Sequence, residues 1–204
     1  MISYGFIITS LIVILMPGTG VIYTVSTGIC GSKKDSIAAA LGCTAGIIPH
    51  LLASSIGLSA VFYTSSLIFQ VIKMIGVVYL LYLGLGMIRD RSAFKIDEET
   101  KENNKIKIII KGILINLLNP KLTLFFFSFL PQFIADDNTA YFRQLVLLGG
   151  VFMVLTFVVF IQYGLLANYF KNLILKSPGL IRRIQQAFGF IFIGLAAKLA
   201  LSDE

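Results

Sequence analysis

Residues 144–170 read QLVLLGGVFMVLTFVVFIQYGLLANYF and contain no Asp, Glu, Lys or Arg. A helix needs ~20 apolar residues to cross the hydrocarbon core of a bilayer, and this segment exceeds that length. It is also much longer than a barrel strand and lacks strict alternation of apolar and polar residues. Residues 1–32 and 36–72 are equally free of charge. The pattern predicts an all-α integral membrane protein.

The composition of the whole chain agrees with this class. Of its 204 residues, 57% are apolar and 13% are charged, and the mean hydropathy is +0.89. These values lie outside the range of soluble domains. The hydrophobic runs predict six transmembrane helices, at about residues 2–27, 37–62, 66–89, 107–134, 143–170 and 181–202.

The basic residues indicate how the chain crosses the membrane. The net charge is +7, and most of the 17 Lys and Arg residues lie in the segments 33–34, 89–111 and 171–183. These segments would face one side of the membrane, which the positive-inside rule assigns to the cytoplasm. The positive net charge therefore indicates how the chain is oriented in the membrane and not that it binds nucleic acid. We expect a multi-pass membrane protein with a cytoplasmic 90–106 loop and both termini outside.

Proline interrupts two of the predicted spans at matching places. The first break is Met16-Pro17-Gly18-Thr19-Gly20 and the second is Leu118-Asn119-Pro120-Lys121. A proline inside a helix removes one backbone hydrogen bond, and in hydrocarbon the freed polar groups need other partners. In transporters built from inverted repeats, corresponding interrupted helices line the substrate site. The two breaks therefore predict a binding site.

The spacing of the glycines predicts that the two halves are repeats. Sliding one half over the other pairs Pro17 with Pro120, Gly42 with Gly149, Gly57 with Gly164, and Gly76 with Gly189. Because each half has an odd number of helices, the halves would cross the membrane in opposite directions. We predict two inverted three-helix repeats, 1–89 and 107–204, joined by the charged 90–106 loop.

The second break has the residue types of a helix start. Asn119 suits a side-chain cap, and Pro120 suits the first helical position. Such a start would aim free N–H groups into the protein, and Lys121 would add a full positive charge. Together they suit an anionic group such as an amino acid carboxylate. The alternative is a kinked structural helix with a snorkelling lysine, for which Lys121 lies too deep in the span.

The first break offers backbone groups and one hydroxyl. Gly18 and Gly20 expose the main chain, and Thr19 adds its side chain, so residues 17–20 are candidates for binding a small polar substrate. The alternative is a close crossing of two helices, which small residues also favour. Pro17 itself creates the break.

His50 and two amides are the other polar candidates within the spans. His50 is the single histidine and a candidate proton carrier, or else a structural hydrogen-bond partner. No Asp or Glu lies in a predicted span, which leaves His50, Lys121 or the substrate to couple protons. Asn116 and Gln162 are interpreted as buried amides that bind substrate or another helix, and we favour the helix.

Four stretches resemble the LysE/RhtB family of bacterial amino acid exporters over nearly the whole chain. They are Met16-Pro17-Gly18, the segment 39–58 with His50, the segment 73–84, and Asn116 to Lys121 leading to Phe129-Leu130-Pro131-Gln132-Phe133. The resemblance implies export of amino acids or their derivatives, driven by the proton motive force. Where the family usually has Pro-Gly-Pro and then a polar or acidic residue, this chain has Thr19 and Gly20, which makes substrate choice the property most open to change.

The leading hypothesis is a secondary exporter that works by alternating access and needs no metal or cofactor. An intramembrane protease would need a serine facing a histidine base, and Ser54, one turn after His50, lacks the Gly-x-Ser-Gly setting. We therefore expect no enzyme activity. A membrane subunit that does not transport is the remaining alternative. For the assembly, we keep a homodimer as a candidate.

Overall fold

The computed structural model describes residues 2–62, 66–89, 104–134, 141–170 and 178–201, and these residues form helices without a strand. Residues 90–103 of the predicted loop lie outside this part of the chain. The α-helices are α1 (Tyr4–Leu15), α2 (Thr19–Cys30), α3 (Lys33–Ala45), α4 (Ile48–Phe62), α5 (Ser66–Arg89), α6 (Lys105–Leu117), α7 (Pro120–Leu124), α8 (Tyr141–Tyr169) and α9 (Pro178–Leu201). A π-helical turn at Phe125–Phe129 and a 3-10 turn at Leu130–Phe133 follow α7.

Both predicted breaks bend their helices sharply. The angle between α1 and α2 is 56°, and the angle between α6 and the helical segment Pro120–Phe133 is 52°. In the described part, Lys33–Ser55 and Phe142–Tyr169 are long and apolar enough to cross a membrane, and counting each bent pair as one span gives up to four. The chain is thus an all-helical membrane protein, as predicted. The count of six spans stays a prediction.

The predicted helix 37–62 begins earlier and is itself broken. Ser32 caps α3 by accepting from the amide of Asp35, and the Asp35 carboxylate accepts from the amide of Ser32 at 2.8 Å. This capping box moves the helix start to Lys33. Residues 46–47 separate α3 from α4 because Pro49, in the first turn of α4, has no N–H to continue the ladder. The prediction of one unbroken helix was wrong here.

Close helix crossings hold the bundle together. α3 packs against α6, α2 and α3 pack against α8, and α5 packs against α9. Where α8 crosses α2, a Cβ on Gly28 would collide with the carbonyl of Gly164, and where α8 crosses α3, a Cβ on Gly164 would lie 2.6 Å from Ser36 Cβ. Small residues let helix backbones approach this closely in a membrane.

The crossing predicts different tolerances for two glycines of α8. Gly164→Ala should destabilise the protein by about 1–3 kcal/mol, because Ser36 Cβ belongs to a packed helix and cannot move away. Gly150→Ala is the matched control, since nothing lies within 4 Å of its Cβ position. Thermal unfolding in detergent measures both. Equal melting temperatures for the two variants would contradict the close packing of Gly164 against Ser36.

Candidate functional site

The first break leaves a backbone carbonyl without its usual donor. In a continuous helix the carbonyl of Val13 would accept from the amide of residue 17, but Pro17 has no N–H. The Lys121 ammonium replaces it, with Nζ lying 3.1 Å from Val13 O and 3.1 Å from Met16 O. Lys121 thus points to the end of α1 instead of snorkelling to the membrane surface. A residue of the second break completes the first.

The second break forms the helix start that the sequence predicts. Asn119 is the N-cap, its side-chain oxygen accepts from the amide of Lys121 at 3.0 Å, and Pro120 is the first helical residue. The amides of Leu122 and Thr123 donate to the Asn119 carbonyl at 3.1 and 3.4 Å. The first turn of α7 is therefore already bonded. The expectation that it offers free N–H groups was wrong, and its contribution to the site is the Lys121 ammonium.

His50 adds a donor to a carbonyl whose helical donor Pro120 removes. The carbonyl of Asn116 would accept from residue 120 in a continuous helix, whereas here it accepts from the amide of Asn119 at 3.1 Å and lies 2.9 Å from His50 Nε2. A carbonyl only accepts, so Nε2 carries the hydrogen. Nδ1 lies 3.2 Å from the Thr123 hydroxyl on the far side of the break. Ser54 donates to Leu51 O at 3.0 Å, so the described structure pairs His50 with Thr123 and Asn116, not with a serine.

Asn116 likewise donates a hydrogen bond to a backbone carbonyl at the break between α3 and α4. The amide of Ile47 donates to Thr44 O at 3.1 Å rather than to Cys43 O. Asn116 Nδ2 donates to Cys43 O at 2.7 Å in its place. Asn116 is only 2% exposed, which confirms the interpretation of a buried amide bonded to another helix. Gln162 is exposed, so the same interpretation was wrong for it.

Glycines of the first break allow the two breaks to meet. Gly18 is the N-cap of α2 and has no side chain to cap the first turn, and its Cβ position lies 3.0 Å from Lys121 Nζ. A Cβ at Gly20 would collide with Asn116 Oδ1 and approach the Phe160 ring to 3.1 Å. Thr19 is exposed and lies outside the lining of the cavity described next. Its binding role stays a prediction.

A small cavity lies where the two breaks meet. Its volume is about 10 Å³, which is room for roughly one water molecule. The site is therefore closed to an amino acid in this conformation. Residues of both breaks and of α8 line it: Val13, Ile14, Gly20, Val21, Asn116, Asn119, Lys121, Leu122, Phe152, Thr156 and Phe160.

The charge at this cavity is unbalanced within the described residues. Asp35 is the one carboxylate side chain in those ranges, and it is engaged in the capping box at Ser32. The partners of the Lys121 ammonium are two neutral carbonyls. Among the described residues, no group of His, Cys, Asp or Glu side chains is placed to hold a metal ion. The site thus offers a cation to which an anion can bind.

The sequence analysis missed several residues that complete this site. Thr123 and Cys43 bond His50 and Asn116, and Phe152, Thr156 and Phe160 form the wall from α8. The three α8 residues recur every four positions in an otherwise apolar helix, which is the spacing of one helix face. That spacing was the available signal.

Comparison with known proteins identifies the family. Residues 11–203 match the family described as LysE type translocator. The chain belongs to this family. The translocator is 31% identical over 196 residues to an uncharacterized membrane protein of Vibrio cholerae serotype O1, covering 96% of this chain and 95% of the relative. No solved structure matches it.

Two further relatives of the translocator have names that state an activity. A homoserine/homoserine lactone efflux protein of Salmonella typhimurium is 29% identical over 197 residues, covering 97% of this chain and 95% of the relative. A leucine efflux protein of an Enterobacter species (strain 638) is 25% identical over 203 residues, covering 97% and 94%. These proteins are transporters, and the family resemblance seen in the sequence is confirmed.

The role of Asn116 in the translocator predicts a stability effect. Asn116→Ala leaves the buried carbonyl of Cys43 without its donor, which should cost about 1–3 kcal/mol. Gln162→Ala, which removes an exposed amide, should change stability by less than about 0.5 kcal/mol. Thermal unfolding of the purified variants in detergent compares them. If Asn116→Ala melted at the wild-type temperature, the bond to Cys43 would not support the break.

Proposed function

We propose that the protein is a secondary active transporter that exports amino acids or amino acid derivatives from the cytoplasm. The observation that carries this proposal is the Lys121 ammonium, which lies between two broken helices and has neutral carbonyls as partners. A substrate carboxylate is the anion that such a cation would bind. The family membership and the names of the efflux relatives support the same activity.

The substrate carboxylate would bind between Lys121 and the start of α2. The first turn of α2 lacks a side-chain cap, and Gly20 and Val21 of that turn line the cavity. A helix N-terminus favours negative charge, and Gly18 lets the Lys121 ammonium approach it. Each break thus contributes a different half of one anion site, and Pro17 and Pro120 create the helix ends at the two breaks.

The substrate amino group would bind neutral oxygen atoms that line the same cavity. Asn116 Oδ1 has one long contact, 3.5 Å from Asn119 Nδ2, and can accept a second hydrogen bond. The Thr156 hydroxyl donates to Phe152 O at 2.8 Å and keeps its lone pairs for a ligand. These acceptors suit the ammonium of an amino acid without requiring a carboxylate from the protein.

The closed cavity and the packing of the two halves support a mechanism of alternating access. A site with room for about one water must open to each side in turn to move an amino acid. The packing of α2 on α8 and of α6 on α3 is the pair of contacts that an inverted repeat of 1–89 and 107–204 would generate. The contact of α5 with α9 would lie on the same pseudo-two-fold axis.

The proposed orientation in the membrane rests on the basic residues. Lys33, Lys34, Lys105 and Lys107 lie at the starts of α3 and α6, which pack side by side. The positive-inside rule assigns this end to the cytoplasm, together with the 90–106 loop, and places both termini outside the inner membrane.

His50 is the candidate for coupling export to protons. A neutral His50 accepts from the Thr123 hydroxyl through Nδ1, and a protonated His50 would donate to the same oxygen. Both protonation states therefore find a partner. Lys121 is the second candidate, since its ammonium would bind the substrate directly.

A transport assay tests the proposed function directly. Proteoliposomes should take up homoserine, homoserine lactone or leucine when a proton gradient is imposed, because these are the compounds that the names of the relatives state. Lys111→Ala is the control variant and should retain uptake. Lys111 is an exposed lysine of α6, which forms a bent helix pair with the segment that holds Lys121. Absence of uptake for a broad amino acid panel, with or without a gradient, would leave the subunit that does not transport as the better hypothesis.

The charge of Lys121 predicts a difference between two related substrates. Homoserine has a carboxylate, whereas the lactone has a neutral ring ester and keeps only the amine. Lys121→Ala should lower homoserine transport about tenfold or more, the loss expected for one charge-assisted hydrogen bond, and lower lactone transport less. Lys121→Arg should retain part of the homoserine activity. An equal loss for both compounds would show that Lys121 does not bind the carboxylate.

The coupling role of His50 is tested by a substitution that keeps a donor. His50→Gln offers an amide N–H to Asn116 O but cannot carry a proton at neutral pH. It should abolish gradient-driven uptake while leaving exchange of labelled for unlabelled substrate across the vesicle. Gradient-driven uptake at the wild-type rate would assign His50 a structural role alone.

A further inference from the structure

Lys121 takes part in two interactions that compete for the same atoms. Its ammonium replaces the backbone donor that Pro17 removes from Val13 O, and it also binds Met16 O. In the proposed function it is also the group that binds the substrate carboxylate. A carboxylate is a stronger partner for an ammonium than a neutral carbonyl is. Substrate binding should therefore draw Lys121 away from α1.

We propose that exchange of Lys121 between the carbonyls of α1 and the substrate carboxylate is the step that couples substrate binding to movement of α1. This proposal rests on the proposed function for its ligand. Without substrate, Lys121 fastens the end of α1 to the start of α7. With substrate, Val13 O and Met16 O lose their donor, and the bend between α1 and α2 changes so that these carbonyls find other partners.

Pro17 is the residue that makes this exchange necessary. Met16 and Gly18 are extended in this structure, and alanine at position 17 would let them become helical, so that the new backbone N–H donates to Val13 O as in a continuous helix. Lys121 would then no longer be needed there. Gly18 adds to the link, because a Cβ at this position would lie 3.0 Å from Lys121 Nζ and would crowd the lysine end. Pro17 and Lys121 should therefore be energetically coupled, although they lie on different halves of the chain.

A double-mutant cycle on the purified full-length protein measures this coupling. Lys121→Met should lower the melting temperature by several degrees in the wild-type background and by less than half as much in the Pro17→Ala background. The control cycle combines Lys121→Met with Gly189→Ala, which disturbs the crossing of α5 and α9 because a Cβ there would lie 2.7 Å from Gly84 O, and should be additive. Additive effects in both cycles would overturn the proposed link between Pro17 and Lys121.

A spin-label experiment tests the movement and remains informative if Pro17→Ala does not fold. Labels at Tyr4 and Leu118, which are 89% and 78% exposed, report the distance between α1 and the end of α6. The control labels at Leu41 and Ile110 span the tight crossing of α3 and α6. Both pairs are placed in a Cys30→Ser, Cys43→Ser background.

Saturating homoserine or leucine should shift the Tyr4–Leu118 distance and leave the Leu41–Ile110 distance unchanged. An unchanged Tyr4–Leu118 distance, with binding demonstrated by a ligand-induced rise in melting temperature, would overturn the exchange. If no compound of the panel binds, the proposed function fails for those substrates, whereas the double-mutant cycle still decides whether Lys121 and Pro17 are coupled.

Discussion

A backbone carbonyl inside a membrane needs a donor, and at each of the breaks described above a side chain from another helix donates to a backbone carbonyl. Lys121 donates to Val13 O, His50 to Asn116 O, and Asn116 to Cys43 O. In hydrocarbon no water is present to substitute for these groups, so each break depends on a side chain from a different helix. The rest of the structure follows from this dependence. The close glycine crossings bring the helices near enough for the three side chains to reach.

The same contacts make the two breaks unequal in chemistry. The start of α7 is capped by Asn119 and internally bonded, whereas the start of α2 begins at a glycine that has no side chain. One break therefore supplies a cation and the other supplies uncapped backbone. Because Lys121 and Asn116 both hold the fold and line the cavity, stability and binding are not separable at these positions.

Local features could be predicted from the sequence, and distant partners could not. The membrane class, the two breaks and the Asn119 cap depend on short stretches of residues, so composition and spacing were sufficient. The bond from Lys121 to Val13 joins residues 108 positions apart, which no local pattern encodes. The break after Ala45 was missed because a proline within an apolar run also fits a kinked continuous helix. Gln162 was misassigned because hydropathy does not tell which face of α8 is outside.

The glycine at position 20 restricts how this site can change during evolution. Any side chain there would displace the Asn116 amide, and with it the support of the break between α3 and α4. The residues that line the cavity from α8 do not support a break, because α8 is unbroken there and the Thr156 hydroxyl bonds within its own helix. Under the proposed function, new substrate preferences would thus arise most readily through substitutions at Thr156 and Phe160, which leave the contacts between the broken helices unchanged.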